Sequence, residues 1–390
     1  MSNSFSRILF IAKRECRRLI ANPVYVLGMV VFPILVTVLF TSLMDEGQPE
    51  EMSVGVVDLD NTSFTRKLTR SLDAFQTTHI VARYPNVEEA RKAMQQGTIY
   101  AFLYYPKGTT DALLSSRQPT ISFYYSYTSL TAGSLLFRDL KTISTLGSAA
   151  VGSATLKAKG LTDAQIGTFL QPIKIDLHTV ANPWVNYNVY LSTMLVPGCL
   201  LLFVFLITAY AFGMELKQNT SRQLIKIAGG KGWVAIAGKA LPHLLVHLAI
   251  FSLYLLYIYK VLHFPHEGGV GVIALLTVLS VMGSMGFAIF MFGLFPSLRM
   301  SMSMCSLWGV LSYSMVGTAF PTFAMDAPLE VLSNLFPLRH YFRIYQTCVF
   351  NGNALIYDWA NILALVVFAL LPLLVARSIR KAYSTYVYLP

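Results

Sequence analysis

Charge is what this sequence has least of. Only 13% of its 390 residues are charged, against 55% hydrophobic, and the mean hydropathy is +0.55. Soluble domains carry about 25% charged residues, so the polar side chains here are too few to solvate a soluble surface of this size. The scarcity points to a polytopic membrane protein. Cysteine is also sparse. Cys16, Cys199, Cys305 and Cys348 show neither metal-ligand nor disulfide-framework spacing and read as unpaired small hydrophobes. Nucleotide machinery is missing too. The pattern G-x-x-x-x-G-K-[ST] does not occur, and Gly229 to Gly232 resembles it in composition alone, reading as a helix stop followed by an interfacial lysine. No G-x-G-x-x-G follows the first strand of the outer domain, which argues against a dinucleotide there. No local motif marks a Ser-His-Asp or Cys-His set, so an intramembrane enzyme is a weak reading. The apolar runs hold almost no ionisable side chains, whereas ion-coupled transporters place such groups at mid-membrane. Energy is therefore expected to enter from elsewhere. The amino terminus lacks a small-residue cleavage site and is not expected to be a signal peptide.

What is present begins with a basic amphipathic segment. In residues 4–20, Phe5, Ile8, Leu9, Ala12, Cys16 and Leu19 fall on one side, and Arg7, Lys13, Arg14, Arg17 and Arg18 supply the other. This predicts an interfacial helix on an anionic leaflet or beside the first span. Residues 24–43 are a span, with a kink expected at Pro33. Residues 52–185 then change character, holding most of the acidic residues and alternating strand with helix. Strands are expected at 54–58, 79–84, 100–105 and 120–125, and helices at 62–75, 87–96 and 109–115. The alternation argues for a small α/β domain with a largely parallel sheet. Residues 129–159 read as a stalk helix and 173–179 as one more strand, before Pro183 leads back to the membrane. Further spans are expected at 190–214, 240–262, 271–295, 301–320 and 359–376. The fold class is thus an α-helical polytopic membrane protein: six transmembrane helices, an amino-terminal interfacial helix and an inserted α/β domain. The divisions are 1–22, 23–44, 45–186 and 187–390.

Basic residues decide orientation. One side receives the amino-terminal arginines and Lys13, then Lys217, Arg222, Lys226, Lys231 and Lys239, then Arg299, Arg377, Arg380 and Lys381. The short loops on the other side receive Lys260, Arg339 and Arg343. Both termini are therefore expected to be cytoplasmic and the large domain outside. The net charge of +11 is explained by this flanking pattern, and no basic domain calls for nucleic acid.

Residues 215–239 are a short basic interruption between apolar runs. Within them 220–227 reads as an amphipathic helix capped by Thr220 or Ser221 and ended by Gly229 and Gly230. A polar helix held between two spans is placed to receive force from a soluble partner. A second unusual stretch, within 322–358, runs from Phe336 through Pro337, Leu338, Arg339, His340, Tyr341 and Phe342 to Arg343. Pro337 is expected to break any helix there, and a re-entrant or interfacial helix pair follows. His243 and His247 have the i, i+4 spacing of a metal pair. Nothing in their span completes a site, so they read as neutral histidines bonding between helices. His263, His266 and Glu267 read as a solvated outer cluster. Asp58 and Asp60 offer too few oxygens for calcium, which takes six to eight, and read as a strand end and a helix cap. The methionine-rich apolar spans suit either lipid packing or passage of a lipophilic molecule.

Three stretches together resemble the permease subunit of type-2 ATP-binding cassette exporters. They are Val54 to Asp60 with Ser63 to Leu72 and Glu88 to Pro106; the loop with Glu215, Gln223, Leu224 and Gly238 to Pro242; and Pro337 and Leu338 to Gly352. Met214-Glu215 and Asn219 to Ser221 stand where that family usually has an Arg-Glu pair and a Gly-Thr followed by an acidic residue. The resemblance implies a permease for a lipophilic or amphipathic compound, drug-like or lipid-like, in the bacterial inner membrane with a periplasmic domain. It implies a second permease copy or paralogue, cytosolic ATPase subunits that bring ATP and Mg, membrane lipid, and a possible periplasmic adaptor. This chain itself would hold no cofactor or metal and would be no enzyme. Coupling to the ATPase would fall on Glu215, Thr220, Arg222, Gln223, Leu224 and Ile227. The competing reading is a membrane-anchored sensor or assembly scaffold that uses the outer α/β domain to bind a ligand or protein.

Overall fold

The computed structural model describes residues 4–115, 117–173, 178, 182, 184–318 and 320–386. The chain divides into two compact units, residues 1–45 with 179–390, and residues 46–178.

Helix α1 (Ser4–Ala21) forms as its periodicity predicts, but its inward face is different. Ile11, Ala12 and Glu15 are buried, while Phe5, Leu9 and Cys16 of the expected apolar stripe are exposed. The helix is turned toward the protein by a carboxylate that meets a buried cation, which leaves those apolar side chains on its exposed face. Asn22 then caps α2 (Pro23–Leu43), accepting from the Val24 amide at 3.0 Å. Pro33 leaves its mark one turn earlier, as a π turn over Leu27–Val31, because proline cannot supply the next backbone donor.

In the second unit β1 (Met52–Asp58) runs parallel to β2 (Thr78–Arg83) and β3 (Ala101–Tyr105), and β4 (Ser122–Tyr125) closes the sheet antiparallel to β3, in the order β2-β1-β3-β4. The intervening helices are α3 (Ser63–Asp73), α4 (Val87–Gln95) and α5 (Thr109–Leu114). Alternation along β1 sends Val54 and Val56 to a core with Leu136, Leu140 and Ile143 of the long α6 (Leu130–Ala158), and Val57 to a second core with Ala90, Ala93 and Phe102. A central strand covered on both faces explains the unbroken apolar run. Asp58 ends the strand as expected and accepts from the Asp60 and Asn61 amides and from the Thr65 hydroxyl, while Thr62 caps α3. Asp60 accepts from the Gly108 and Thr110 amides and the Thr110 hydroxyl, so hydrogen bonding outweighs its slight burial and lowers its pKa. A short α7 (Asp163–Leu170) follows. Of the strand expected at 173–179, residues 174–177 and 179 lie outside the described residues, as does Pro183.

The remaining helices of the first unit are α8 (Tyr187–Lys217), α9 (Ser221–Ile227), α10 (Gly232–Val261), α11 (Gly269–Leu294), α12 (Leu298–Met315), α13 (Ala327–Ser333), α14 (Pro337–Ile344) and α15 (Leu355–Thr385). Among the described residues five helices are long and apolar enough to cross a membrane: α2, α8, α10, α11 and α15. The span expected at 301–320 appears as α12, 18 residues with serines at 301, 303, 306, 312 and 314, and it is not one of the five. It packs along α8, where a Cβ on Gly309 would meet Leu202 at 2.4 Å.

Two boundaries need correction. Helix α8 continues through Glu215 to Lys217, and α10 begins at Gly232, not at 240. The loop expected over 215–239 is therefore short, consisting of α9 and its flanks. The charged residues expected to end each span have buried partners, so the helices need not stop at them.

Candidate functional site

The first unit holds a buried ionic cluster built from α1, α8 and α10. Glu15, Glu215 and Lys239 are each 0% exposed. Lys239 Nζ donates to Glu15 Oε1 at 2.5 Å and to Glu215 Oε1 at 3.1 Å, bridging the two carboxylates. Arg14 grips Glu215 with both guanidinium nitrogens, at 3.0 Å and 3.1 Å. Arg18 donates to the same carboxylate through Nη1, and through Nη2 to Gln218 and to Thr220 Oγ1, the latter at 3.0 Å. A buried charge is tolerated only when paired and hydrogen-bonded, and here two carboxylates meet Lys239, Arg14 and Arg18. His243 Nε2 lies 3.1 Å from Glu15 Oε1 and donates to it. Burial alone would raise the pKa of Glu15, but Lys239 and His243 more than offset it and bring it from 4.5 down to about 2.

Spacing explains the convergence. Arg14 and Arg18 are one helical turn apart, as are Lys239 and His243, and each pair presents one face. Glu215 stands in the last turn of α8, beside the start of the loop. Its carboxylate takes the Thr220 hydroxyl at 2.6 Å, and its carbonyl takes the Thr220 amide at 3.0 Å. Thr220 stands at the amino-terminal cap position of α9 as expected, yet its hydroxyl serves Glu215 and makes no capping bond.

The six residues of the loop set separate into two kinds. Glu215 and Leu224 are fully buried, and Thr220 and Ile227 are half-buried. Arg222 and Gln223 are exposed, with Lys226, on the outer face of α9. Leu224 and Ile225 pack with Ile11, Val234, Ile379 and Tyr383, so α9 rests on α1, α10 and α15 through its apolar side. Its end is made by Gly229 and Gly230 at φ +67° and +74°, the left-handed stop expected of them.

The second stretch holds two short helices, α13 ending at Ser333 and α14 beginning at Pro337. Pro337 marks the break between them and stands at the first position of α14, which needs no amide donor. Leu338, Tyr341 and Phe342 are buried in the large core with Phe251 and Tyr254. Arg343 is exposed. Arg339 donates to the Ser333 hydroxyl and, at 2.9 Å, to the Glu330 carbonyl, tying α14 to α13. His247 Nε2 has no partner among the described residues, and no group of three metal-ligating side chains occurs among them.

Glu15 and the role of Lys239 are absent from the sequence expectations. Glu15 is the one acidic residue of a strongly basic helix and stands four residues after the buried Ile11, a signal that was available. Lys239 reads equally well as a topology determinant, and only the fold separates the two.

Residues 24–377 match the family model described as ABC-2 family transporter protein. No curated protein matches the chain.

Proposed function

From the premise that the chain belongs to the ABC-2 family of transporter proteins, we propose that it is the permease subunit of an ATP-driven exporter of lipophilic or amphipathic compounds. The observation that carries this reading is the arrangement of α9. It has an apolar face seated on α1, α10 and α15, an exposed face with Arg222, Gln223 and Lys226, and a start tied through Thr220 to the buried Glu215–Lys239 cluster. A push on the exposed face is transmitted to α1 by Arg14 and Arg18, and to α10 by Lys239. A rigid element joined to spans by charge-assisted bonds moves with them.

In this reading α12 is a sixth span, both termini are cytoplasmic, and residues 46–178 are periplasmic. ATP and Mg are handled by a cytosolic partner, and the permease works as a pair in the bacterial inner membrane. A periplasmic adaptor is a further candidate partner. Purification of the native complex with identification of its subunits is the test. An ATP-binding subunit should accompany the chain, and Arg222→Glu with Gln223→Ala should reduce ATP hydrolysis about tenfold or more, equivalent to at least about 1.4 kcal/mol of lost coupling. Absence of any nucleotide-binding partner would overturn the reading and favour a membrane-anchored scaffold.

A further inference from the structure

The first unit has an apolar groove of about 350 Å³ between α10, α11 and α15. Its walls include Trp233, Ala237 and Leu244 of α10, Met282 and Ile289 of α11, and Leu373 of α15. Two backbone features shape it. Helix α15 is interrupted between Leu370 and Pro372, where proline removes a donor. Gly286 brings α11 against α15 closely enough that a Cβ would meet the Phe368 carbonyl oxygen at 2.2 Å.

At the end nearest α9 the groove acquires a cationic rim. Arg377 and Arg380 follow Leu373 by four and seven residues and share its helical stripe. Lys231 precedes α10, and the close approach of Gly232 to the Ala376 carbonyl oxygen, 2.3 Å for an added Cβ, sets that helix start beside α15. Arg380 Nη1 reaches the Gly230 carbonyl oxygen at 3.5 Å. No Asp or Glu occurs between residues 216 and 266 or after Asp358, so neither α10 nor the end of α15 supplies a counter-charge. Trp233 is 46% exposed at the same end, where an indole suits a membrane–water interface.

We propose that this groove holds an acyl chain of an anionic phospholipid from the surrounding bilayer, with the phosphate on Arg377 and Lys231. An apolar cleft between spans and a cationic rim one turn away match the two halves of that molecule. The inference needs the spans to lie in a bilayer and is independent of ATP coupling. The bound lipid lies across the seam between α10 and α15, immediately after the glycine stop of α9.

The test uses the full chain reconstituted in phosphatidylcholine vesicles containing a small fraction of either phosphatidylglycerol or phosphatidylcholine brominated on one acyl chain. Bromine quenches nearby indoles, and the difference between the wild type and Trp233→Phe isolates Trp233 from the other three tryptophans. Brominated phosphatidylglycerol should quench Trp233 at a severalfold lower mole fraction than brominated phosphatidylcholine. Arg377→Gln should reduce that preference about fivefold, while Ala237→Phe should weaken quenching by both lipids. Met282→Phe fills the groove from the opposite wall without adding an indole and checks the result should Ala237→Phe not fold. Equal quenching by the two lipids in the wild type would reduce the groove to ordinary boundary lipid and overturn the proposal. So would a preference unchanged by Arg377→Gln, or no quenching by either lipid.

Discussion

Lys239 serves two carboxylates, but the two do not depend on it equally. Glu215 also has Arg14 and Arg18, whereas Lys239 is the only permanent cation bonded to Glu15 among the described residues. Removing one partner of a buried pair costs about 3–5 kcal/mol, because the other charge is stranded. Lys239→Met should therefore destabilise by about that amount, mainly through Glu15. Adding Glu15→Gln should recover a large part of the loss. Adding Glu215→Gln should not, because it strands Arg14 and Arg18. Thermal unfolding of the single and double variants in detergent measures both couplings, and equal rescue by the two partners would contradict the geometry. The same pairing fixes a pH dependence. Glu15 is charged in the folded protein down to about pH 2. Its contribution is therefore complete above pH 4.5 and is lost as pH falls from there through about 2. The titratable groups that interact with it are Lys239, His243, Tyr25 and Tyr383. Glu15→Gln should flatten the part of the acid-unfolding curve between these limits that the wild type shows.

At the scale of elements, α9 depends on how it stops. Gly229 is at φ +67°, and a Cβ there would run into the Arg7 guanidinium, whereas Gly230 at φ +74° faces open space. Gly230→Ala carries the left-handed backbone penalty of about 1–2 kcal/mol. Gly229→Ala adds displacement of Arg7 and should lower the melting temperature further; an equal effect of both would show that the Arg7 contact is unimportant. The helix and its glycine stop were legible from Thr220 to Gly230, because periodicity and stop are local, whereas the bond from the Thr220 hydroxyl to Glu215 was not. So was the order of strands and helices in residues 52–125, where short apolar runs alternate with capped polar helices. The ends of α8 and α10 were not. Glu215 and Lys239 read as span boundaries because a lone ionisable side chain in an apolar run is costly, and the sequence does not display that partners from α1 cancel that cost. The break at Pro337 was legible, because proline cannot continue a helix yet can start one.

At the scale of the whole molecule, the distribution of charge implies an orientation. The sequence places Arg7, Lys13, Arg14, Arg17 and Arg18, then Lys226 and Lys231, then Arg377, Arg380 and Lys381 on segments that flank spans on one side. Four of the five apolar helices have an end at these segments: α2 follows α1, α8 and α10 flank α9, and α15 carries the last basic group. Lysine and arginine near span ends are retained on the cytoplasmic side, and long inserted domains do not count in that balance. If that rule governs this chain, Gln223 on α9 faces the cytoplasm and Asp111 on α5 faces outward. Both side chains are exposed, and replacing either with cysteine disturbs no hydrogen bond assigned to its side chain. Of the natural cysteines, Cys16 is exposed and Cys305 and Cys348 are buried, so a Cys16→Ser background removes the most accessible competing thiol. In intact cells with a permeable outer envelope, a membrane-impermeant maleimide should label Asp111→Cys at once and Gln223→Cys only after lysis. The reverse pattern would invert the topology and remove α9 from the reach of any cytosolic ATPase. Labelling of both before lysis would mean that an odd number of crossings separates neither residue from the outside, leaving the six-span arrangement without support.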